Sequence, residues 1–276
     1  MLTADAVKSG ADILAKNGVE NSLYNSELLM CKVLNVNRFA LLSDWKKREL
    51  KETNRELFLS YIARRAKREP LQYIEENVYF YGLDINVNKN VLIPRPETEE
   101  LVSIVVEKLK DSNQLNILDI GTGSGCIALA LASKLPNSNV IGIDCSEAAV
   151  ETAEFNKSKL SINNVHFVNV SLEEYIIPNN IDVIVSNPPY ISMKDYEELE
   201  PELFFEPKSA LTDGGDGLYF YKLIYNKIKL FDCNKIKLFF EIGCNQAQDI
   251  KNIFSGYKID ILKDMNKIDR FILINN

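Results

Sequence analysis

Histidine is nearly absent from this sequence, in which His166 is the only one among 276 residues. A histidine-based catalytic triad or a histidine-rich metal site is therefore unexpected, and we predict no metal. The cysteines form no Cys-x-x-Cys pair, which argues against a disulfide framework and a zinc site and favours a reducing cytoplasm. They are Cys31, Cys126, Cys145, Cys233 and Cys244.

Long apolar runs are also missing. No stretch approaches the length of a membrane span, and the first residues lack the pattern of a signal peptide, so we expect a cytoplasmic protein. The net charge of −7 disfavours a large sequence-independent contact with nucleic acid. A hydrophobic fraction of 46% suffices for a full core, in one large domain or in a medium domain plus a small one.

The N-terminal part of the chain carries helical patterns. We predict that Thr3 caps a first helix, that Ser22 begins a second, and that a third runs over 46–67 until Pro70 stops it. Basic residues outnumber acidic ones by nine to three over 46–68. This excess has two interpretations, a solvated helix face or a partner-binding patch.

A strand-like hairpin follows over 78–87, and after it comes a rigid loop with two prolines, Leu92-Ile93-Pro94-Arg95-Pro96. A helix then opens at Glu97. One interpretation is a linker before an acidic helix N-terminus. The other is a loop that folds over a ligand, in which Arg95 and Glu97 bind substrate.

From residue 116 onward, strand and helix patterns alternate, which predicts an α/β fold with a mainly parallel, doubly wound sheet. Seven strands are expected, at 116–120, 139–144, 165–170, 181–186, 236–242, 257–263 and 268–274. Helices are expected at 125–134, 147–158, 218–230 and 245–254. Only residues 264–267 separate the last two strands, too few for a crossover helix, so these strands should pair antiparallel.

The stretch Ser186-Asn187-Pro188-Pro189-Tyr190 ends the fourth of these strands. Asn187 presents a side-chain oxygen and Pro188 a backbone carbonyl, and two neighbouring acceptors can hold both hydrogens of a planar –NH2 group. Tyr190 offers a flat face on which such a group can stack. A plain proline-rich turn is the alternative.

A second motif, Asp119-Ile120-Gly121-Thr122-Gly123-Ser124-Gly125, joins the first strand to an apolar helix. Glycines let the backbone approach a ligand, and the helix N-terminus adds N–H donors. Asp144 ends the next strand, about twenty residues further on, where a carboxylate can bind both hydroxyls of a ribose. We therefore predict a cofactor that carries adenosine.

The spacing Gly-x-Gly-x-Gly resembles class I methyltransferases that depend on S-adenosylmethionine, whose sheet also ends in an antiparallel hairpin. The resemblance sharpens to the HemK/PrmC family, the release factor protein-(glutamine-N5) methyltransferases, and covers nearly the whole chain. It is carried by Glu69-Pro70-Leu71-Gln72-Tyr73-Ile74, Ile93-Pro94-Arg95-Pro96-Glu97-Thr98-Glu99, Asn187-Pro188-Pro189-Tyr190-Ile191, Glu206-Pro207-Lys208-Ser209-Ala210-Leu211 and Asp216-Gly217-Leu218.

This resemblance implies methyl transfer from S-adenosylmethionine to the glutamine of the Gly-Gly-Gln motif of peptide chain release factors, with S-adenosylhomocysteine as product. It divides the chain into a helical substrate-binding domain (1–75), a hairpin linker (76–90) and a methyltransferase domain (91–276). It implies three sets of site residues. They are catalytic Asn187, Pro188 and Tyr190; substrate-binding Asn187, Pro188, Pro189, Tyr190, Arg95 and Glu97; and cofactor-binding Gly121, Thr122, Gly123, Ser124, Gly125, Asp144, Ser171, Leu172 and Asn187.

The sequence departs from the family pattern at Ser171, before Leu172, where an acid beside the adenine contact is common. Two rival functions stay open. A nucleic-acid exocyclic-amine methyltransferase uses the same tetrapeptide on a flipped adenine, but residues 1–84 hold 13 basic and 12 acidic residues and offer no basic excess. A non-catalytic binding module that keeps the fold is the other. A monomer without membrane or stable nucleic-acid partners is expected.

Overall fold

The computed structural model of this chain describes residues 1–112, 114–229 and 236–275. These residues form two compact units. The first holds Met1–Asn77 together with a later segment, Glu200–Phe205, and the second holds the rest of the described chain. Cys233 and the end of the helix predicted over 218–230 lie outside the described residues.

The first unit is helical, as predicted. Its α-helices are α1 (Thr3–Lys16), α2 (Ser22–Leu34), α3 (Arg38–Asp44), α4 (Glu52–Ala66) and α5 (Leu71–Glu75), and a 3₁₀ turn covers Pro201–Phe205. The apolar faces of these helices meet in one core, in which Leu14, Leu29, Phe58 and Ile62 are buried. Because apolar residues recur at helical spacing, each helix buries one face and leaves the other to solvent.

Two predictions in this unit are wrong. The helix predicted over 46–67 begins only at Glu52. The backbone just before it is bonded to the N-terminal segment, since Leu50 N–H donates to the Met1 carbonyl at 3.0 Å. That N–H is therefore not part of a helical hydrogen-bond pattern. Thr3 is not a cap. Leu2 occupies the N-cap position, and the Thr3 hydroxyl donates to the Arg48 carbonyl at 3.0 Å.

The basic residues at the end of α4 have acidic partners within the first unit. Arg65 Nη2 lies 3.0 Å from one oxygen of Glu202, and Arg68 Nη2 lies 2.6 Å from the other. Arg64 binds Glu69 through two hydrogen bonds, at 2.9 and 2.6 Å. This part of the basic stretch therefore stabilises its own unit and fixes the segment that contains Glu202.

The predicted hairpin follows, with strands β1 (Asn77–Phe80) and β2 (Leu83–Asn86), and from Val78 onward it belongs to the second unit. Its main sheet has seven strands among the described residues. They are β3 (Asn116–Ile120), β4 (Asn139–Asp144), β5 (Val165–Asn169), β6 (Val183–Ser186), β7 (Lys237–Glu241), β8 (Lys258–Lys263) and β9 (Asp269–Asn275).

The sheet has the order β5-β4-β3-β6-β7-β9-β8. All pairs from β5 to β7 are parallel, and β9 pairs antiparallel with both β7 and β8. The fold class is thus confirmed: a mainly parallel seven-stranded α/β sheet of the class I methyltransferase type with a terminal antiparallel hairpin, and a helical N-terminal region.

Helices flank this sheet: α6 (Pro96–Leu109), α7 (Cys126–Lys134), α8 (Glu147–Leu160), α9 (Met193–Tyr196), α10 (Lys208–Leu211), α11 (Tyr219–Ile228) and α12 (Ala247–Ile253). Every residue of β6 is buried, as expected for a central parallel strand covered on both faces. Within the described ranges, no helix combines the length and the apolar character needed to cross a membrane.

The register of the sheet brings the predicted motifs to one edge. Ile120 at the end of β3 pairs with Ile143 of β4 on one side and with Ser186 of β6 on the other. Ser186 in turn pairs with Phe240 of β7. The strand order reverses between β3 and β6, and open α/β sheets bind ligands at the carboxyl ends of strands beside such a reversal.

Candidate functional site

A pocket lies at this carboxyl edge of the sheet, within the second unit. Seven of the predicted site residues line it: Gly121, Gly123, Asp144, Leu172, Asn187, Pro188 and Pro189. They come from the ends of three neighbouring strands and from the loop after β5. The structure therefore brings both sequence motifs to one cavity.

The glycine loop is folded against the end of β4. The N–H groups of Gly121 and Thr122 donate to the Ile143 carbonyl at 2.9 and 3.0 Å, and Gly123 N–H donates to Asp144 Oδ2 at 2.9 Å. Gly123 has a φ of 54°, a left-handed conformation that side chains disfavour. These contacts hold the loop's backbone along the wall of the pocket.

Asp144 is held by backbone donors on both carboxylate oxygens, since Ser146 N–H donates to Oδ1 at 2.9 Å. Burial raises the pKa of this carboxyl, and the hydrogen bonds from Ser146 and Gly123 oppose that rise. A carboxylate fixed in this way at the pocket wall can accept hydrogen bonds from ligand hydroxyls.

The rest of the wall beside Asp144 is largely apolar, with Ile143, Leu172 and Phe220 among its residues. Glu173 also lines it and was not predicted. The Tyr219 hydroxyl donates to Glu173 at 2.7 Å, and this bond lowers the pKa of the Glu173 carboxyl. An acid is thus present near the position where the family pattern led us to expect one, two residues after Ser171.

Asn187 and Pro188 also line the pocket, and each carries an acceptor oxygen. The Asn187 amide nitrogen donates to Thr98 Oγ1 at 3.1 Å. In the part of the chain that the structure describes, no group donates to Asn187 Oδ1 or to the Pro188 carbonyl. These two oxygens are therefore available to a ligand with N–H donors.

Tyr190 follows this pair but does not line the pocket. Its ring packs against the core of the second unit, and its hydroxyl donates to Glu241 Oε1 at 3.3 Å. Burial raises the pKa of Tyr190, so it is neutral. Its predicted stacking role stays a prediction.

Glu241 ends β7 and was not predicted as a site residue. Only 2% of it is exposed, and Thr98 Oγ1 donates to its Oε2 at 2.7 Å. Burial raises the pKa of Glu241 to about 7. A chain of hydrogen bonds therefore leads from Asn187 through Thr98 to a buried acid.

Glu206 fixes the loop that contains Arg95. The buried Glu206 carboxylate accepts from the Ile93 N–H at 2.9 Å and forms an ion pair with Arg95. Glu97 lies in the first turn of α6. Neither Arg95 nor Glu97 lines the pocket, and their predicted contact with substrate stays a prediction.

Four predicted cofactor residues also lie outside the pocket lining: Thr122, Ser124, Gly125 and Ser171. Thr122 is buried, and its hydroxyl donates to Asp119 Oδ2 at 2.7 Å. The Ser171 hydroxyl accepts from Glu174 N–H at 3.3 Å. These side chains shape the loops around the pocket.

Two family models match this chain. The PrmC N-terminal domain matches residues 5–75, and the methyltransferase small domain matches residues 99–227. The release factor glutamine methyltransferase of Fusobacterium nucleatum is 41% identical over 275 residues, which cover 98% of this chain and 77% of that protein. The release factor glutamine methyltransferase of Bacillus subtilis is 37% identical over 278 residues, 97% of this chain and 96% of that one.

Among solved structures, the hMettl16 catalytic domain in complex with MAT2A 3′UTR hairpin 6 matches with a TM-score of 0.57 at 15% identity, over 78% of this chain and 81% of its own. That likeness shows the fold alone.

The fold and the pocket define an enzyme of the methyltransferase class. Within that class, the near full-length identities are decisive: this chain belongs to the release factor glutamine methyltransferase family.

Proposed function

We propose that this enzyme transfers a methyl group from S-adenosylmethionine to the side-chain amide nitrogen (N5) of the glutamine in the Gly-Gly-Gln motif of peptide chain release factors. One observation carries the proposal: a single pocket is lined by the glycine loop, by Asp144 and by the Asn187-Pro188 acceptors. The names of the relatives, which the chain matches over nearly its whole length, supply the substrate class.

The residues of the pocket fit S-adenosylmethionine. Asp144 is placed to hold ribose hydroxyls, Leu172 and Phe220 offer apolar surface to an adenine ring, and the loop of Gly121 and Gly123 leaves room for close approach of the ligand. When bound, S-adenosylmethionine supplies an electrophilic methyl group and leaves as S-adenosylhomocysteine.

The protein's part in the transfer is to hold the substrate amide. A glutamine amide nitrogen is a weak nucleophile because its lone pair is delocalised into the carbonyl group. Asn187 Oδ1 and the Pro188 carbonyl would accept its two hydrogens and orient the nitrogen, a kind of positioning worth on the order of several kcal/mol. Both oxygens also stabilise the positive charge that develops on nitrogen. We propose direct transfer without a covalent enzyme intermediate, a metal or a histidine base: the new N–CH3 bond forms as the sulfonium S–CH3 bond breaks, and the methylated nitrogen, which is acidic once it carries positive charge, releases one proton to water.

We assign the helical N-terminal domain, predicted from the sequence as residues 1–75, to binding of the release factor. The match of the PrmC N-terminal domain to residues 5–75 supports this assignment. We further propose that the enzyme acts as a monomer in the cytoplasm, which fits the scattered cysteines and the net charge of −7.

The test is mass spectrometry of a purified, unmethylated release factor after incubation with this enzyme and S-adenosylmethionine. We expect one added methyl group, on the glutamine of Gly-Gly-Gln, and none on a release factor with that glutamine replaced by alanine. If the cofactor binds but no methyl appears on the release factor, the substrate proposal fails, and single-stranded and duplex nucleic acids become the next candidates.

A further inference from the structure

Three buried or half-buried side chains form a continuous chain of hydrogen bonds behind the substrate acceptors. Asn187 Nδ2 lies 3.1 Å from Thr98 Oγ1, which lies 2.7 Å from Glu241 Oε2. Thr98 and Glu241 are each only 2% exposed, so these bonds are shielded from water. The sequence separates the partners widely, but the start of α6 and the end of β7 meet beside the loop after β6.

The direction of these bonds decides which end of the Asn187 amide faces Thr98. A threonine hydroxyl has one proton, and here that proton is donated to Glu241. Thr98 Oγ1 can then only accept, and of the two ends of the Asn187 amide only Nδ2 can donate to it. Turning the amide over would set Oδ1 against the lone pairs of Thr98 Oγ1 and leave a buried group without a partner, which is costly.

We propose that Thr98 and Glu241 are positioning residues that fix the Asn187 amide in a single orientation, with Nδ2 bound to Thr98 and Oδ1 presented to the substrate. The inference rests on the proposed function for its kinetic consequences. Neither residue is placed to touch substrate, because Asn187 lines the pocket and the buried Thr98 and Glu241 do not. Their role is to keep Asn187 Oδ1, the acceptor for the substrate amide, directed toward the substrate.

The charge of Glu241 controls this selection. The ionised carboxylate can only accept, so it requires the Thr98 proton. The protonated acid can donate to Thr98, which frees the Thr98 proton for Asn187 Oδ1 and removes the preference for the productive orientation. Because burial raises the pKa of Glu241 to about 7, both states are populated near neutral pH.

Other titratable groups surround Glu241. They are Glu97 of α6, Cys126 of α7, Tyr190 after β6, Tyr221 of α11 and Arg270 of β9. Arg270 and the hydrogen bonds from Thr98 and Tyr190 favour the ionised form, and Glu97 opposes it. The Tyr221 hydroxyl donates to the Glu241 backbone carbonyl at 2.7 Å and fixes the end of β7.

The kinetic test compares Thr98→Val with Thr98→Ser in release factor methylation. Loss of the hydroxyl in T98V should lower kcat roughly tenfold or more and leave the dissociation constant of S-adenosylmethionine, measured by calorimetry, within about twofold of wild type. T98S keeps the hydroxyl and should recover most of the rate. Thr152→Val removes a buried hydroxyl from α8, outside the pocket lining, and is the control for the general cost of such a change.

The second test is the pH profile. In the wild type, kcat should rise with a midpoint near the Glu241 pKa of about 7. Glu241→Gln offers an acceptor that does not titrate, so this step should disappear. A T98V enzyme with wild-type kcat, or a Glu241→Gln enzyme that keeps the step, would overturn the inference.

A third measurement needs no methyl-transfer substrate. The side-chain amide ¹⁵N resonance of Asn187, assigned by its loss in Asn187→Ala, should shift with a midpoint near pH 7 in the wild type and stay constant in Glu241→Gln. An Asn187 resonance that does not change with pH in either protein would contradict the inference even if release factors are methylated. Its titration would support the inference even if the substrate proposal fails.

Discussion

Arg95 and Glu206 form an ion pair that joins the segment before α6 to the segment before α10. Glu206 is the more buried partner, with 2% of its side chain exposed against 32% for Arg95. The same carboxylate accepts from the Ile93 N–H. The loop of Arg95 is therefore fixed by a buried acid, independently of any ligand.

Arg95→Ala should destabilise the protein, because it leaves the buried Glu206 carboxylate without its cation. We expect the free energy of unfolding, from urea titration, to fall by about 1.5–3 kcal/mol. Lys89→Ala, a change of an exposed cation in the same unit, should stay within about 0.5 kcal/mol of wild type. If Arg95 also contacts substrate, its loss should raise KM for the release factor more than Glu206→Gln does; equal KM values would count against that role.

Asn187→Ala should slow turnover far more than it weakens cofactor binding. The substrate amide loses an acceptor that acts during the transfer, so we expect kcat to fall on the order of 100-fold. Calorimetry with S-adenosylmethionine should show a nearly unchanged affinity. Asn252→Ala, at an exposed position of α12, is the matched control. A loss of affinity as large as the loss of rate would place Asn187 mainly in the cofactor site.

Asp144→Ala should have the reverse effect. It removes the acceptor for Gly123 N–H and Ser146 N–H and the carboxylate proposed to hold the ribose. We expect the dissociation constant of S-adenosylmethionine to rise roughly 10- to 100-fold. Asp260→Ala, on the exposed face of β8, should leave it unchanged. An unaltered affinity in Asp144→Ala would mean that the ribose binds elsewhere.

Gly217→Ala should disturb the substrate loop, whereas Gly215→Ala should not. An added Cβ at Gly217 would lie 2.1 Å from the Tyr190 carbonyl oxygen, and Gly217 has a φ of 77°. At Gly215 the nearest atom would be Asp213 Oδ1, at 3.6 Å. Because the Tyr190 backbone must move, we expect Gly217→Ala to lose at least about tenfold in kcat and some stability. Similar kcat values for the two variants would contradict this.

Asp119 should make stability depend on pH. Burial raises the pKa of this acid to about 7 in the folded protein, whereas the unfolded chain has a value of about 4. Between these values the folded state keeps a proton that the unfolded state releases, so this contribution to stability falls as pH rises and is lost above about pH 7. Asp119→Asn should therefore show a flatter dependence over this range in urea titrations, while Asp12→Asn, at an exposed position of α1, should follow the wild type. A slope unchanged by Asp119→Asn would show that this acid does not carry the effect.

The pocket could be predicted from the sequence to the extent that its residues are neighbours along the chain. The glycine loop and the Asn187 tetrapeptide are contiguous motifs, and Asp144 follows at a fixed strand-helix-strand spacing. Thr98 and Glu241 could not be found in this way, because their hydrogen bonds join residues 89 and 143 positions apart. The register of β6 beside β7 and the position of the first turn of α6 together create that relationship.

Local patterns also failed where tertiary contacts prevailed. The residues from 46 onward have the composition of a helix, but backbone groups near Leu50 bond to the N-terminal segment, and α4 starts only at Glu52. Similarly, nothing in the sequence indicated that Glu202 would pair with Arg65 and Arg68. Such ion pairs depend on the tertiary fold, whereas hydrophobic periodicity and helix propensity report only local structure.

The first unit includes Glu200–Phe205 and is therefore discontinuous along the chain. During synthesis on the ribosome, the helices of this unit emerge first. The ion pairs of Arg65 and Arg68 cannot form until Glu202 has been synthesised, when more than two thirds of the protein has been made. By then the whole stretch from β3 to the Asn187 loop has emerged. The unit proposed to recognise release factors thus gains its last ion pairs only after the strands and loop that build the pocket have been translated.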